Sequence, residues 1–284
     1  MVEERNRKVQ IKFYYPSEKF PSISVTGTEC SLNCKHCNSF YLKRMIPAAS
    51  REELLSVCKN LERKGAIGCL ISGGCNSSGK VPIPYDALKK LNEETKLVFN
   101  IHPGLVTEKE AKQIQEAKVR YVSIDIVADE KVCYEIYGLK KSPLDYEKSL
   151  KLLTEIPNVR VCPHICVGLY YGKISHEYKS LRLIEKFKDK IAVLVLLVLM
   201  PTFGTELENV KLEWEDILEF IRYCRDKLPD NELSLGCMRP KPRFLEEEAV
   251  EIFDRIAIPS RVAIEKAKKL GKEILERETC CVIG

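Results

Sequence analysis

Three cysteines spaced C-x-x-x-C-x-x-C, namely Cys30, Cys34 and Cys37, follow a short β-like run and sit in a loop that opens Val25-Thr26-Gly27. Three thiolates hold a cubane of four irons and four sulfides while leaving one iron without a protein ligand. An iron left open in this way is reactive. Two residues between Cys34 and Cys37 suit adjacent corners of one cluster, and the three before Cys34 let the loop pass around another face. Gly27 permits the turn, and polar loop residues direct backbone N–H groups at the sulfides, which tunes the potential. A structural zinc site would need four closed ligands, commonly from two C-x-x-C pairs. No second pair follows within the usual distance.

The rest of the chain alternates strand-like and helix-like segments. Strands are predicted at 22–26, 68–71, 96–101, 121–126, 159–168, 192–199 and 232–235, with 256–258 as a short closing element. Ser50 with Glu53 forms a capping box for a helix whose apolar face carries Leu54, Leu55, Cys58 and Leu61. Thr107 starts another helix, and further helices are expected over 130–137, 146–155, 213–227 and 246–256. The unbroken aliphatic run at 192–199 reads as a parallel strand buried on both faces. This alternation predicts right-handed βαβ units and an α/β fold, a parallel (β/α) barrel of TIM type, partial or complete. The expected division is an N-terminal arm at 1–21, the barrel at 22–260, and a C-terminal segment at 261–284. That last segment reads as a helix over 261–277 and a free tail carrying Cys280 and Cys281.

Composition narrows the function classes. The net charge of +5 is spread without a dense basic run, so no nucleic-acid partner is expected. The longest apolar stretch, 191–200, falls short of the roughly 20 residues needed to span a bilayer, so no membrane partner is expected either. The charged start at 1–8 has no signal-peptide core, and thirteen cysteines, an odd number with metal-type spacing, argue against a disulfide framework. A reducing, cytoplasmic location is the expectation.

Barrel enzymes place their chemistry at the C-terminal ends of strands, and the unusual residues fall there. Ser72-Gly73-Gly74-Cys75 follows the second strand, and the two glycines let backbone approach a ligand closely. Ser123 and Asp125, two residues apart, share one face of the fourth strand, as a ribose diol would need. Asp125 fits a helix N-cap or a buried ion pair equally well. Cys75, Cys162 and Cys237 each end a strand, so the three are candidates to converge as ligands of a second cluster. Cys58, Cys69, Cys133 and Cys224 read as ordinary core residues. His102 and His164 either hydrogen-bond structurally or orient groups in the mouth.

The cysteine loop resembles the signature of the radical S-adenosylmethionine (SAM) enzymes, with His36 in the usually aromatic slot before the last cysteine. The resemblance implies that Cys30, Cys34 and Cys37 bind a 4Fe–4S cluster whose open iron takes SAM. It also implies that an electron from the cluster splits SAM into methionine and a 5′-deoxyadenosyl radical that removes hydrogen from substrate. Ser72-Gly73-Gly74 is similar to the family's Gly-Gly-Glu-like segment, with Cys75 in place of the acidic residue, and Ser123 with Asp125 resembles the ribose contact of biotin synthase. By the same resemblance, His36, Ser72, Gly73, Gly74, Ser123 and Asp125 help to bind SAM.

Gly236-Cys237-Met238-Arg239-Pro240, together with the segment 37–43 and Ser72-Gly73-Gly74-Cys75, makes the chain most similar to the archaeal biotin-synthase homologues that include two-component lipoyl synthases, and 161–168 is similar to an auxiliary-cluster ligand segment of biotin synthase. This implies sulfur insertion into an octanoyl chain on a lipoyl carrier protein or peptide, with a second auxiliary 4Fe–4S cluster as sulfur source. A second radical SAM protein and a low-potential ferredoxin are the implied partners. Cys280 and Cys281 either fold back to supply a missing ligand or are incidental. His102 stands where a third-strand cysteine is expected, and Glu206 where proline is common. The competing readings are a radical SAM enzyme that inserts no sulfur, and a non-catalytic iron–sulfur or zinc protein.

Overall fold

The computed structural model describes residues 9–284, so the charged run at 1–8 lies outside the described residues. The strands in chain order are β1 (Gln10–Tyr14), β2 (Ser22–Ser24), β3 (Ile46–Pro47), β4 (Gly68–Ser72), β5 (Val98–Ile101) and β6 (Tyr121–Asp125). They continue with β7 (Arg160–Val167), β8 (Leu194–Val198), β9 (Leu233–Leu235), β10 (Arg255–Ala257) and β11 (Glu273–Arg277). They form one sheet in the order β11-β1-β10-β9-β8-β7-β6-β5-β4-β2-β3. Every neighbouring pair is parallel. The sheet curls into a partial barrel of TIM type, the fold class that the strand–helix alternation predicts.

Nine helices cover the outside among the described residues: α1 (Arg51–Arg63), α2 (Tyr85–Glu94), α3 (Glu108–Glu116), α4 (Glu130–Tyr137), α5 (Pro143–Thr154), α6 (Glu177–Glu185), α7 (Trp214–Lys227), α8 (Arg243–Ile252) and α9 (Arg261–Lys269). The capping boxes at Ser50 and Thr107 are both formed. Alternation along β8 and the residue before it shows how the sheet divides two cores: Leu194, Leu196 and Val198 belong to the large core under the helices, whereas Val193 and Val195 belong to a smaller cluster inside the barrel. Among the described residues no helix is long and apolar enough to cross a membrane.

Both ends of the chain differ from the sequence-based expectation. The segment at 12–16, expected as a short arm or an edge segment, contributes to a strand one place in from the edge, because β1 pairs with β10 on one side and with the edge strand β11 on the other. The expected helix over 261–277 stops at Lys269, where Leu270 caps it and Gly271 turns at φ 66°. Glycine adopts that left-handed conformation without a side-chain penalty. The chain then enters β11, where Ile274 pairs opposite Ile11. Residues beyond β11 are not a free tail: Cys281 is 5% exposed and Val282 is fully buried in the inner cluster with Tyr14, Cys162, Val193 and Val195.

Candidate active site

The cysteine loop leaves β2 at Ser24, whose Oγ donates to Gly27 O at 2.6 Å. Thr26 is the brace: its Oγ1 donates to Glu29 O at 2.9 Å and accepts from Gly74 N at 2.7 Å. Ser31 N donates to Cys75 O at 2.8 Å, so the loop after β4 is laced to the cysteine loop along its length. Gly74 makes this contact possible. A Cβ there would lie 1.9 Å from Glu29 O and 2.7 Å from the Cα and Cβ of Cys30, so this position admits only glycine without a shift of the loop. Left-handed turns at Asn33, Asn38 and Ser39 wind the rest of the loop.

Winding brings side chains together. Ligand atoms of Cys34, His36 and Cys37 lie within 4.8 Å of one another, and Cys30 is in electrostatic range of Cys34. Cys37 is held down at about 4, first by the hydrogen bond from the Cys34 thiol and then, against burial, by His36. Cys34 is correspondingly pushed far up, so the pair shares one proton. His36 Nδ1 is buried without a hydrogen-bond partner, and an unsatisfied buried polar atom beside thiols is costly in the protein alone. Soft sulfur donors with an unpartnered ring nitrogen beside them fit an iron–sulfur cluster held by Cys30, Cys34 and Cys37.

The floor of the mouth comes from β4 to β7. Asp125, the last residue of β6, lies 3.4 Å from His102 Nε2. Burial pushes its carboxyl up, but His102 more than offsets this, and the net value is about 2, so Asp125 stays a carboxylate. His102 is raised by the same pairing against the effect of burial. His164, whose ring lies 5.5 Å from that of His102, is lowered to about 4 by burial and by His102, and remains neutral. Ser72 Oγ donates to His102 O at 3.3 Å. Ser123 sits one layer deeper, where its hydroxyl donates to Asn100 Oδ1 at 3.1 Å and is 2% exposed. The mouth thus gathers the cysteine loop, Ser72 to Gly74 and Asp125, while Ser123 is already engaged below.

A cavity of about 220 Å³ opens here, lined on its polar side by His36 and Asp125 and on its apolar side by Cys166, Leu197, Met200 and Met238. Cys166 and the methionines were not singled out from sequence as site residues, although Cys166 and Met238 lie in the segments 161–168 and 236–240 that carry the resemblance. Two further ties also escaped the sequence reading. Tyr41 and Thr202 share a hydrogen bond at 2.5 Å, and Lys35 pairs with Glu206 at 2.9 Å while donating to Tyr171 OH at 3.2 Å. The departure at Glu206 was the available signal, since an acidic residue in place of proline supplies the partner of Lys35.

The three strand-end cysteines do not gather in one place. Cys75 is in electrostatic range of Cys30, Cys37 and Asp125, because β4 lies next to β2. Cys162 and Cys237 are instead in range of Cys281.

The family model described as the radical SAM superfamily matches residues 24–211. No curated protein matches the sequence. Among solved structures, HydG, a maturase of the FeFe-hydrogenase, superposes with a TM-score of 0.64 at 14% identity, covering 93% of this chain and 64% of that one. Methylornithine synthase (PylB) gives 0.57 at 17% identity over 96% and 72%. Streptococcus suis SuiB bound to S-adenosylmethionine gives 0.57 at 16% identity over 84% and 52%. The chain therefore spans less than two thirds of the maturase and about half of SuiB. At these identities the likeness is one of fold.

Proposed function

The chain belongs to the radical SAM superfamily, whose family model covers its residues 24–211, and from this premise we propose that it takes hydrogen from an unactivated carbon of an octanoyl chain and inserts sulfur there. A bound 4Fe–4S cluster with one iron free of protein would supply the electron that splits SAM and yields the abstracting radical. Cys30, Cys34 and Cys37 hold that cluster. The close approach of Gly74 to Cys30 sets the loop of β4 against the cysteine loop, where Gly73 would help to hold the methionyl end of SAM. Asp125, held as a carboxylate by His102, would accept hydrogen bonds from the ribose hydroxyls.

The observation that carries the substrate class is the cavity: Leu197, Met200 and Met238 line it together with His36 and Asp125. An apolar wall beside the SAM-binding groups suits a hydrocarbon chain, excludes water from a radical, and keeps the target carbon close. In this reading the chain arrives on a lipoyl carrier protein or peptide, a second radical SAM protein adds the other sulfur, and a low-potential ferredoxin is the reductant. An auxiliary cluster in the same barrel is the sulfur source.

The test is anaerobic incubation of reconstituted protein with SAM, a reductant and an octanoylated carrier peptide. The expected result is 5′-deoxyadenosine together with a peptide carrying one added sulfur by mass spectrometry. Deoxyadenosine without sulfur in any peptide would overturn sulfur insertion and favour the radical SAM alternatives, namely methylation, cyclisation or metallocofactor maturation.

A further inference from the structure

A second group of thiols lies inside the barrel, away from the cysteine loop. β11 runs upward beside β1, with Arg277 opposite Tyr14, and residues 278–284 then turn down into the lumen. Arg255 Nη1 donates to Cys281 O at 2.8 Å and Tyr14 OH to Ile283 O at 3.0 Å. Tyr121 OH reaches Gly284 O at 3.5 Å. Arg255 and Tyr121 begin β10 and β6, so the segment reaches the floor of the barrel. This path carries Cys280 and Cys281 into the inner cluster that also contains Cys162. The Cys280 and Cys281 side chains hydrogen-bond each other, and Cys237, in the turn after β9, is in electrostatic range of both.

We propose that Cys162, Cys237, Cys280 and Cys281 are the ligand set of an iron–sulfur cluster held within the barrel, with the C-terminal segment supplying two of the four thiolates. The surroundings fit an anionic, sulfur-rich group better than a plain apolar core. Arg255 Nε is buried without a hydrogen-bond partner, and the Ser234 hydroxyl lies against the Cys281 thiol. An orphaned donor such as Arg255 Nε costs free energy in the protein alone and is satisfied by a sulfide or thiolate acceptor. The guanidinium groups of Arg160 and Arg255 oppose the effect of burial on Cys162. Cys237 is the exposed member and gives iron and sulfide a way in. Cys75, which sequence position grouped with Cys162 and Cys237, lies instead with Cys30 and Cys37.

The site deepens the sulfur-insertion reading, because it would be the sulfur source, and it rests on that reading only for its purpose. Its test is iron and sulfide content with Mössbauer spectra of protein reconstituted anaerobically in the Cys30→Ala/Cys34→Ala/Cys37→Ala background. About four irons should remain there. Adding Cys280→Ser/Cys281→Ser should bring iron close to zero, and adding Cys75→Ser should leave it unchanged. Cys237→Ser, at an exposed position outside the packed core, should also lower iron, and far-UV circular dichroism of each apo-protein checks folding. Iron retained without Cys280 and Cys281, iron lost with Cys75, no iron in the background, or stoichiometric zinc without sulfide would each overturn the assignment. None of those outcomes bears on deoxyadenosine formation, which reads the first site, and loss of the sulfur product with full iron content would fault the reaction and not the ligands.

Discussion

The cysteine loop and the lumen place the same side chain in opposite settings. Cys30, Cys34 and Cys37 lie within eight consecutive residues, and their geometry comes from local turns, the Thr26 brace and the close approach of Gly74. Cys162, Cys237, Cys280 and Cys281 come from three distant stretches of chain and meet because β11 returns the chain beside β1 and turns it inward. The first group surrounds His36, which lines a cavity, whereas most of the second lies in a packed cluster beside Arg255 and its partner Glu232. A loop site can form wherever its scaffold strand ends. A lumen site requires the whole sheet, so its occupancy reports on the integrity of the barrel.

The largest effect that separates the two should come from the loop itself. The triple replacement of Cys30, Cys34 and Cys37 by alanine is expected to remove about four irons and to abolish 5′-deoxyadenosine release, followed by liquid chromatography. A variant that still releases the nucleoside would place the reaction elsewhere.

Next comes Arg239, which is 2% exposed, pairs with Glu246 at 2.7 Å, and donates to Gly236 O at 2.6 Å and Ala257 O at 2.8 Å. Arg239→Ala strands Glu246 in the core and is expected to cost about 3–5 kcal/mol in urea unfolding. Because the same guanidinium pins the turn that carries Cys237, iron should be lost from the lumen before it is lost from the loop. The reverse order would unmake the contrast between the regions.

A smaller effect should act in the other direction. Gly74→Ala pushes on Glu29 and Cys30 and is expected to cost roughly 1–3 kcal/mol. Iron occupancy of the loop should fall while that of the lumen, measured by Mössbauer area, stays constant.

The smallest is a pH effect confined to the mouth half of the molecule. His176 is fully buried, its Nδ1 bonds Ser180 Oγ, and Ser180 in turn accepts from Ala128 N just after β6. Burial holds His176 below the ordinary histidine value. Between that ordinary value and the lowered one the unfolded chain binds more protons than the folded one, so stability present at neutral pH is lost as pH falls through this window. His176→Gln should flatten the acid side of the stability curve, measured by denaturant unfolding from pH 7 down to pH 4. An unchanged slope would assign the acid loss to another group.

Much of this molecule was legible in the sequence. Periodicity located the barrel strands because a buried parallel strand has to be apolar on both faces, as the run around Leu194 to Val198 is. Capping chemistry marked the starts of α1 and α3 because Ser50 and Thr107 act on backbone groups three residues away. Asp125 and His102 were each placed at a strand end, but their pairing was not, since the two are 23 residues apart and joined only by the neighbouring positions of β5 and β6. The tail was misread for a similar reason. Gly271 was a visible stop, yet nothing near it says that the next five residues find an edge on β1.

The sequence by itself therefore determined what short-range chemistry encodes: the family through the spacing of Cys30, Cys34 and Cys37, the parallel architecture through its alternation, and the glycine that must face the loop. Only the tertiary structure decided which distant residues meet. It set Cys75 beside the first thiols and Cys162 beside the tail, matched Lys35 to Glu206, and turned the last residues into the lumen. Contacts of this kind depend on strand order and on the curl of the sheet, which are settled by the packing of the whole chain and leave no periodic trace in any one segment.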